Sequence, residues 1–336
     1  MTRRTLLGGI PFIMSAQSAS PSAYRKPKVL KPGDLIGLVT PASFVADPDR
    51  LLLVERTMKY FGLRYRFGKS VAKKFAFTGG TVAERVADLH DFFADPEVAG
   101  IFCIRGGYGS GQLLAELDYD LIRRNPKVLV GYSDITALHL AIHQKCRLVT
   151  FHGPVALSRF NAYTEEHFRR ALFETKPLGA VTNPPDNGAI RPEHLLRTVR
   201  GGVARGQLIA GNLSLISALM GTPYEIDTRG KILCIEDVGE APYRLDRMLM
   251  QLKLAGKLDA ASGVVWGECA DCRDPGDSSV SVGEVVDNVL GTLKVPVLSG
   301  LTIGHTSDQL TLPLGCMATL NADKGDLVIE ESGVSA

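Results

Sequence analysis

Short apolar stretches alternate with longer amphipathic segments along residues 34–151, and this alternation strongly constrains the fold. The apolar stretches are typical of buried strands, whereas the segments at 49–61 and 82–94 repeat their apolar residues at helical spacing. Parallel strands need a crossover connection, so this pattern favours a parallel sheet with helices on both faces. We therefore predict an α/β fold in which the strands of this first region lie at 34–40, 64–68, 100–104, 127–130 and 148–151.

The chain has 336 residues, enough for two domains with sizeable cores. A stretch rich in Pro, Gly and Asn at 180–193 has the composition of a linker. We predict a parallel-sheet N-terminal domain at 30–155, a connecting segment at 156–205 and a smaller α/β C-terminal domain at 206–331. In the second domain the sequence predicts strands at 231–236, 262–266, 296–301, 316–320 and 326–330, with helices at 211–220, 243–255 and 282–293.

Residues 127–142 read KVLVGYSDITALHLAI, which predicts a buried strand, a turn that carries Ser133, and a helix. Gly131 permits a sharp turn, and Asp134 suits a helix start, where backbone N–H groups lack partners. A serine at this junction projects its hydroxyl from the sheet edge, where N–H groups of the helix start can stabilise an oxyanion. Ser133 is therefore a candidate nucleophile. The alternative is a Ser-Asp pair that only caps the helix.

Two later segments also place reactive side chains at strand ends. Residues 231–249 predict a strand that reaches Glu236, and residues 300–315 predict a short strand that ends near His305. A serine hydroxyl is weakly nucleophilic until a base takes its proton, and the base needs a third group to orient it. Sites of α/β enzymes assemble at the carboxyl ends of strands. Ser133, His305 and Glu236 therefore form a candidate catalytic set.

The chain resembles the LD-carboxypeptidases, a family of serine peptidases that trim murein tetrapeptides and that includes the microcin C self-immunity proteins. Resemblance covers roughly residues 30–330, and the segment GNLSLISALMGTPYE at 211–225 contributes to it. Its main blocks are IRGGYGSGQLLAELD at 104–118, GYSDITALHLA at 131–141, ILCIEDVGEAPYRLDRML at 232–249 and a GH…LPLG pattern at 304–315.

The resemblance implies a Ser-Glu-His triad, in that chain order, formed by Ser133, Glu236 and His305. Glu240 is the rival for the carboxylate, but Glu236 matches the family glutamate at the strand end. The first predicted domain holds Ser133 and the second holds the other two, so we expect the active site at the domain junction.

The implied activity is hydrolysis of the L,D-amide that releases terminal D-alanine from murein tetrapeptides, by a homodimer without a cofactor. Hydrolysis of peptidyl-nucleotide toxins of the microcin C type is the alternative within the family. A murein-binding protein without catalytic activity is the alternative from another class.

A glycine-rich loop, Arg105-Gly106-Gly107-Tyr108-Gly109, directly follows a predicted strand. Its spacing fits neither nucleotide phosphate motif, G-x-G-x-x-G or a loop ending in Gly-Lys-Ser/Thr. We predict that the N–H groups of Gly107 and Asp134 form an oxyanion hole and that Arg105 binds a substrate carboxylate. The alternative for the loop is a tight structural turn.

The composition argues against other classes of function. A net charge of +2 gives no footprint for binding nucleic acid. His139 and His143 share a helical face, but the sequence supplies no evident third ligand, so we predict no metal site. Cys269 and Cys272 form an isolated C-x-x-C, for which a disulfide and two unpaired thiols both remain open.

The N-terminus, MTRRTLLGGIPFIMSAQSAS, has an arginine pair, then an apolar stretch, then small residues. This layout predicts a signal peptide over residues 1–23, with the arginine pair favouring the twin-arginine route. The apolar run is too short to span a bilayer. We expect an exported, periplasmic protein without a stable membrane anchor. A cytoplasmic location is the alternative.

Overall fold

The computed structural model describes residues 24–185, 194–273 and 280–336. The predicted signal peptide and part of the predicted linker lie outside the described residues. Within the described part of the chain, no helix is both long enough and apolar enough to cross a membrane.

The N-terminal domain is built on a six-stranded sheet. Five strands are parallel neighbours in the order β5-β4-β3-β1-β2, and β12 adds an antiparallel edge next to β5. These strands are β1 (Leu35–Val39), β2 (Arg64–Phe67), β3 (Val98–Cys103), β4 (Val128–Gly131), β5 (Thr150–His152) and β12 (Leu312–Leu314).

Helices cover this sheet on both faces, as the alternating pattern predicts. Every residue of β1 and β4 is buried, which explains why both strands read as continuous apolar runs. The helix over 82–94 starts where Thr81 and Glu84 form a reciprocal capping box. The helices are α1 (Asp49–Tyr60), α2 (Val82–Ala94), α3 (Tyr119–Arg124), α4 (Thr136–Cys146) and α5 (Ala162–Phe173).

The C-terminal domain has a mixed sheet of eight strands, more than the N-terminal sheet contains. Its centre, β8-β9-β10-β11, is parallel, and antiparallel strands continue it on both sides in the order β6-β14-β13-β8-β9-β10-β11-β7. The strands are β6 (Gly179–Val181), β7 (Arg197–Arg200), β8 (Val203–Asn212), β9 (Lys231–Val238), β10 (Gly263–Ala270), β11 (Val297–Leu301), β13 (Met317–Asn321) and β14 (Asp326–Ile329). The helices are α6 (Leu213–Ala218), α7 (Pro242–Leu254), α8 (Lys257–Ala260) and α9 (Val282–Val289).

The two domains exchange strands. β12 comes late in the chain but completes the N-terminal sheet, whereas β6, at the start of the predicted linker, joins the C-terminal sheet. The segment 156–205 is therefore more than a connection, because it contains α5, β6, β7 and the start of β8. The fold class predicted from the sequence is confirmed: two α/β domains, of which the first holds a parallel sheet.

The domains meet closely beside the turn that follows β4. Gly211, near the end of β8, lies so near Thr136 at the start of α4 that a Cβ atom would overlap the threonine methyl group. The neighbouring Asn212 N–H donates to Thr136 Oγ1 (2.9 Å). These contacts hold the carboxyl end of β8 against the start of α4, which fixes the strand ends of both domains around a common cleft.

Candidate active site

Ser133 follows β4 on a tight turn and has a left-handed backbone, with φ of 64°. That conformation costs a residue with a side chain roughly 1–2 kcal/mol, and such strain is concentrated at functional sites. The loop after β3 approaches closely: a Cβ atom on Gly106 would lie 2.9 Å from Ser133 Cβ. Glycine at 106 therefore leaves room for the serine side chain at the edge of the sheet.

The structure brings Ser133, His305 and Glu236 into one hydrogen-bonded chain. His305 Nε2 lies 3.0 Å from Ser133 Oγ, and His305 Nδ1 lies 2.8 Å from Glu236 Oε2. The carboxylate accepts the Nδ1 hydrogen, so the neutral imidazole has a lone pair on Nε2 that faces the hydroxyl. This arrangement can draw the proton from a serine as its oxygen attacks a carbonyl. The Tyr132 ring packs edge-on against the imidazole, 4.8 Å between centroids.

Glu236 is completely buried. Burial raises its pKa, and the hydrogen bond and charge of His305 only partly offset this effect. Gly304, directly before the histidine, has φ of 86°, and a Cβ atom there would collide with the Glu236 carboxylate. Glycine at 304 thus lets the backbone pass close enough for His305 to reach the acid.

Asp134 ties the glycine-rich loop to the serine turn through its side chain. Its carboxylate accepts hydrogen bonds from the N–H groups of Gly109 (3.2 Å) and Ser110 (2.8 Å), and its carbonyl oxygen accepts one from the Ser110 hydroxyl. The sequence predicts an oxyanion N–H or a helix cap at Asp134, but not this link between the carboxylate and the glycine-rich loop. Nothing in the local sequence shows the second role of this residue, because its partners lie 24 and 25 positions away along the chain.

Arg85 supports the same loop from beneath. Its buried guanidinium donates to the carbonyl oxygens of Pro41 (2.7 Å) and Gly109 (2.9 Å) and to Gln112 Oε1 (2.7 Å). Burial lowers the pKa of Arg85, and the charge of Asp134 partly restores it. The glycine-rich loop is therefore fixed by a buried cation on one side and a buried carboxylate on the other.

A cavity of about 320 Å³ opens above Ser133. Gly107 lines it with φ of 116°, and a Cβ atom there would overlap the Ser43 side chain. Its lining residues are Arg50, Arg105, Gly106, Gly107, Tyr132, Ser133, Val155, Leu157, Ser158 and His305. We refer to this space as the catalytic cavity.

Two guanidinium groups border the catalytic cavity. Arg105 donates through Nε to the Gly106 carbonyl (3.2 Å) and through Nη1 to the Phe44 carbonyl (3.0 Å). Burial and the charge of Arg50 both lower the pKa of Arg105. Two like charges at one cavity favour an anionic ligand. The role of Arg50 could not be predicted from the sequence, because most arginines on surface helices are simply solvated.

Several other residues considered in the sequence analysis lie in ordinary structural settings. His139 is buried, with Nδ1 2.9 Å from Thr150 Oγ1 and Nε2 2.9 Å from the Gly131 carbonyl, and His143 Nε2 is 2.6 Å from the Tyr24 hydroxyl. The described residues include no cluster of three or more side chains suited to a metal ion. Cys269 and Cys272 are free thiols.

Glu240, the rival for the carboxylate role, points elsewhere. Its nearest cation is Arg244, with 3.5 Å between the guanidinium and Oε2. Its backbone N–H donates to the sulfur of Cys272 (3.4 Å). Of the two acids, it is Glu236 that contacts His305.

The loop that carries His305 is anchored by a second histidine. His194 Nδ1 lies 2.6 Å from Glu268 Oε1, and His194 Nε2 lies 3.2 Å from Asp308 Oδ2. Burial lowers the pKa of His194, but its hydrogen bonds and charge interactions with the two acids outweigh this effect, so its pKa is raised overall. His194 thus links Asp308, three residues after His305, to Glu268 near the end of β10.

Comparisons with known proteins identify the class to which this fold and site belong. The N-terminal domain of the LD-carboxypeptidases matches residues 36–153, and their C-terminal domain matches residues 205–320. A Bacillus subtilis (strain 168) protein named probable murein peptide carboxypeptidase is 39% identical over 92% of this chain and 95% of its own length. The murein tetrapeptide carboxypeptidase of Pseudomonas aeruginosa is 32% identical over 86% of this chain and 94% of its own length. The chain belongs to the LD-carboxypeptidase family.

Solved structures agree with this assignment. The microcin C7 self-immunity protein MccF superposes with a TM-score of 0.84 at 29% identity, covering 93% of this chain and 100% of MccF. The muramoyltetrapeptide carboxypeptidase of Oxalobacter formigenes superposes with a TM-score of 0.76 at 27% identity, covering 89% of this chain and 99% of that enzyme. The family and fold implied by the sequence blocks are confirmed.

Proposed function

We propose that the protein is a serine carboxypeptidase in which Ser133 is the nucleophile, His305 the general base and Glu236 the acid that orients His305. The observation that carries this proposal is the continuous chain of hydrogen bonds from Glu236 through His305 to Ser133. Ser133 follows β4, His305 follows β11 and Glu236 lies near the end of β9. The serine is held in a strained turn beside an open cavity. Family membership supports the same reading.

In the first half of the reaction, Ser133 Oγ attacks the carbonyl carbon of the scissile amide while its proton passes to His305 Nε2. The carbonyl becomes an oxyanion, which the N–H groups of Gly107 and Asp134 stabilise. The C–N bond then breaks, Nε2 gives its proton to the leaving amine, and an acyl ester remains on Ser133.

The second half repeats these steps with water in place of the serine. His305 Nε2 takes a proton from the water as its oxygen attacks the ester carbonyl. When the C–O bond to Ser133 breaks, the same proton returns to the serine oxygen, and the shortened peptide leaves with a new carboxylate. Glu236 stabilises the imidazolium in both halves without itself taking the proton.

The substrate we propose is a murein tetrapeptide, from which the enzyme releases the terminal D-alanine. The names of the curated relatives in Bacillus subtilis and Pseudomonas aeruginosa support this substrate class. Arg105, together with Arg50, binds a carboxylate of the stem peptide. The proposal fits the two cations at the catalytic cavity, because guanidinium groups pair well with carboxylates.

Release of D-alanine from purified tetrapeptide tests this function. The matched substrates are a tetrapeptide that ends in L-alanine and a pentapeptide that ends in D-alanyl-D-alanine, whose last amide joins two D residues. We expect free D-alanine from the natural tetrapeptide alone. Equal cleavage of all three peptides would contradict specificity for the L,D-amide, and no cleavage of any would contradict the carboxypeptidase assignment.

A second candidate activity is hydrolysis of an aminoacyl-nucleotide conjugate, which the similarity to MccF favours. MccF has been solved with aspartyl sulfamoyl adenosine and with glutamyl sulfamoyl guanosine. Incubation with an aminoacyl-nucleotide substrate beside the tetrapeptide ranks the two activities by kcat/KM. We expect the tetrapeptide to be the better substrate.

We also propose that the protein is exported through its N-terminal signal and acts in the periplasm as a homodimer. The arginine pair and apolar stretch of residues 1–23 support export. N-terminal sequencing of the protein from its native host should find a start near Ser15 to Ala23. An intact Met1 in a cytosolic fraction would contradict export, and a monomer in sedimentation equilibrium would contradict the dimer.

A further inference from the structure

A second cavity adjoins the catalytic cavity on the N-terminal domain. It encloses about 500 Å³ and is lined by Ser43, Phe44, Phe77, Arg105 and Tyr108. Arg105 lines both cavities, so the two spaces are neighbours on either side of this residue. We call this second space the aromatic cleft. Its rings face solvent to an unusual degree, with Phe77 72% exposed and Tyr108 57% exposed.

Hydrogen bonds fix the backbone segments that carry the rings of the aromatic cleft. Phe75 and Thr78 exchange two backbone hydrogen bonds of 2.9 Å, which closes a tight hairpin with Phe77 at its tip. Ser43 bridges to Thr78, and the Ser43 hydroxyl accepts the Tyr108 N–H (3.0 Å). Phe77 and Tyr108 meet edge to face, 6.1 Å between centroids. Apolar rings held in place at the surface mark a binding site, because exposing them to water is unfavourable.

In the strand order, the aromatic cleft and the loop of His305 lie on opposite sides of β4. The loop of His305 leads into β12, which pairs with β5 on one side of β4. Arg105 follows β3, on the other side of β4. His305 gives its proton to the leaving amine, so D-alanine departs on the β5 side. The acyl part of the substrate therefore extends across Arg105 toward the aromatic cleft.

We propose that the aromatic cleft is a subsite for the sugar of the muramoyl group at the far end of the stem peptide. This inference rests on the proposed murein activity. One face of a pyranose ring presents C–H groups, which pack flat against electron-rich aromatic faces such as those of Phe77 and Tyr108. Lys74, whose Nζ lies 4.5 Å from the centroid of the Phe44 ring, supplies a donor for the sugar oxygens. Apolar walls with a few polar donors are typical of small-molecule sites.

The test compares Phe77→Ala with Phe75→Ala on two substrates. Both side chains are exposed on the same hairpin, but Phe75 does not line the cleft. We expect the wild type to hydrolyse N-acetylmuramoyl-tetrapeptide about five- to tenfold better in kcat/KM than the free tetrapeptide, a difference of the size that ring contacts supply. Phe77→Ala should lose this preference through KM and keep its activity on free tetrapeptide, whereas Phe75→Ala should keep both.

A wild-type enzyme without a preference for the muramoyl substrate would overturn the subsite, as would an equal loss on both substrates in Phe77→Ala. If neither substrate yields D-alanine, the proposed function fails, and calorimetric titration with the disaccharide N-acetylglucosaminyl-N-acetylmuramic acid decides the subsite by itself. Binding by the wild type that is lost in Phe77→Ala supports it. The subsite is contradicted if the disaccharide does not bind. It is also contradicted if adenosine monophosphate binds instead and this binding depends on Phe77.

Discussion

Glu236 and Glu240 are four residues apart, and their surroundings give them different roles. Glu236 is buried at the end of β9 and accepts a hydrogen bond from His305, whereas Glu240 lies in the following loop near Arg244. Replacing Glu236 with glutamine keeps the shape of the side chain but removes the charge that stabilises the imidazolium. We expect Glu236→Gln to lower kcat about 10⁴-fold, as for other triad acids.

The matched variant Glu240→Gln should lower kcat about tenfold or less, because Glu240 contacts Arg244 and Cys272 and not His305. Steady-state kinetics of both variants on the same tetrapeptide measure the difference. A larger loss in Glu240→Gln would show that the acid has been assigned to the wrong residue.

At the residue scale, the sequence predicts which side chains at strand ends come together. It does not predict which side chains hold the loops in place around them. The proximity of Ser133, Glu236 and His305 could be predicted because each comes just after an apolar stretch, and strand ends converge in α/β folds. The roles of the Asp134 carboxylate and of Arg85 depend on how the glycine-rich loop folds back on the serine turn. Neither spacing nor residue type along the chain carries that information.

At the scale of single elements, strands that contain an apolar run could be predicted from the sequence, whereas the edge strand β7 could not. β1 and β4 are continuous apolar runs, and β9 contains one over residues 232–235. β7 reads Arg-Thr-Val-Arg and pairs on one side only, at the margin of the C-terminal sheet. A mostly exposed strand shows no apolar run, so its sequence resembles a loop.

The two histidines of helix α4 should make the folded protein less stable in acid. Both are buried, and burial lowers the pKa of His139 to about 4 and of His143 to about 3. In the unfolded chain both titrate near 6.5, so the stability that they contribute is present above pH 6.5 and is lost as the pH falls toward 4. Around pH 5, each should steepen the pH dependence of unfolding free energy by about 1.4 kcal/mol per pH unit.

Urea unfolding of wild type and His143→Gln between pH 4.5 and 6.5 measures this effect. Glutamine keeps a hydrogen-bonding group beside the Tyr24 hydroxyl but does not titrate. We expect the unfolding free energy of the variant to depend less steeply on pH, by the amount that corresponds to about one proton. An unchanged slope would mean that His143 is not the buried, neutral group that the structure describes.

At the scale of the whole molecule, the proposed catalytic mechanism depends on how the two domains dock. Ser133 comes from one domain, and Glu236 and His305 come from the other. Because Gly211 packs against Thr136, Gly211→Ala should push β8 away from the start of α4 and misplace the serine relative to its base. We expect kcat to fall about ten- to a hundredfold, since displacements below 1 Å matter at this level, with a modest decrease in Tm.

Gly111→Ala is the matched control, because a Cβ atom at Gly111 would meet no neighbouring atom within 4 Å. It should leave kcat and Tm close to the wild-type values. Full activity in Gly211→Ala, measured beside this control, would show that the contact between Gly211 and Thr136 does not set the geometry of the site.

The most direct test of the central claim is mass spectrometry of murein tetrapeptide incubated with wild type and with Ser133→Ala. The wild type should convert the tetrapeptide to tripeptide and D-alanine. Ser133→Ala should fold normally, with an unchanged circular dichroism spectrum, and should lose about 10⁴- to 10⁶-fold in kcat. Tripeptide formation by Ser133→Ala at a rate near that of the wild type would contradict the assignment of Ser133 as the nucleophile.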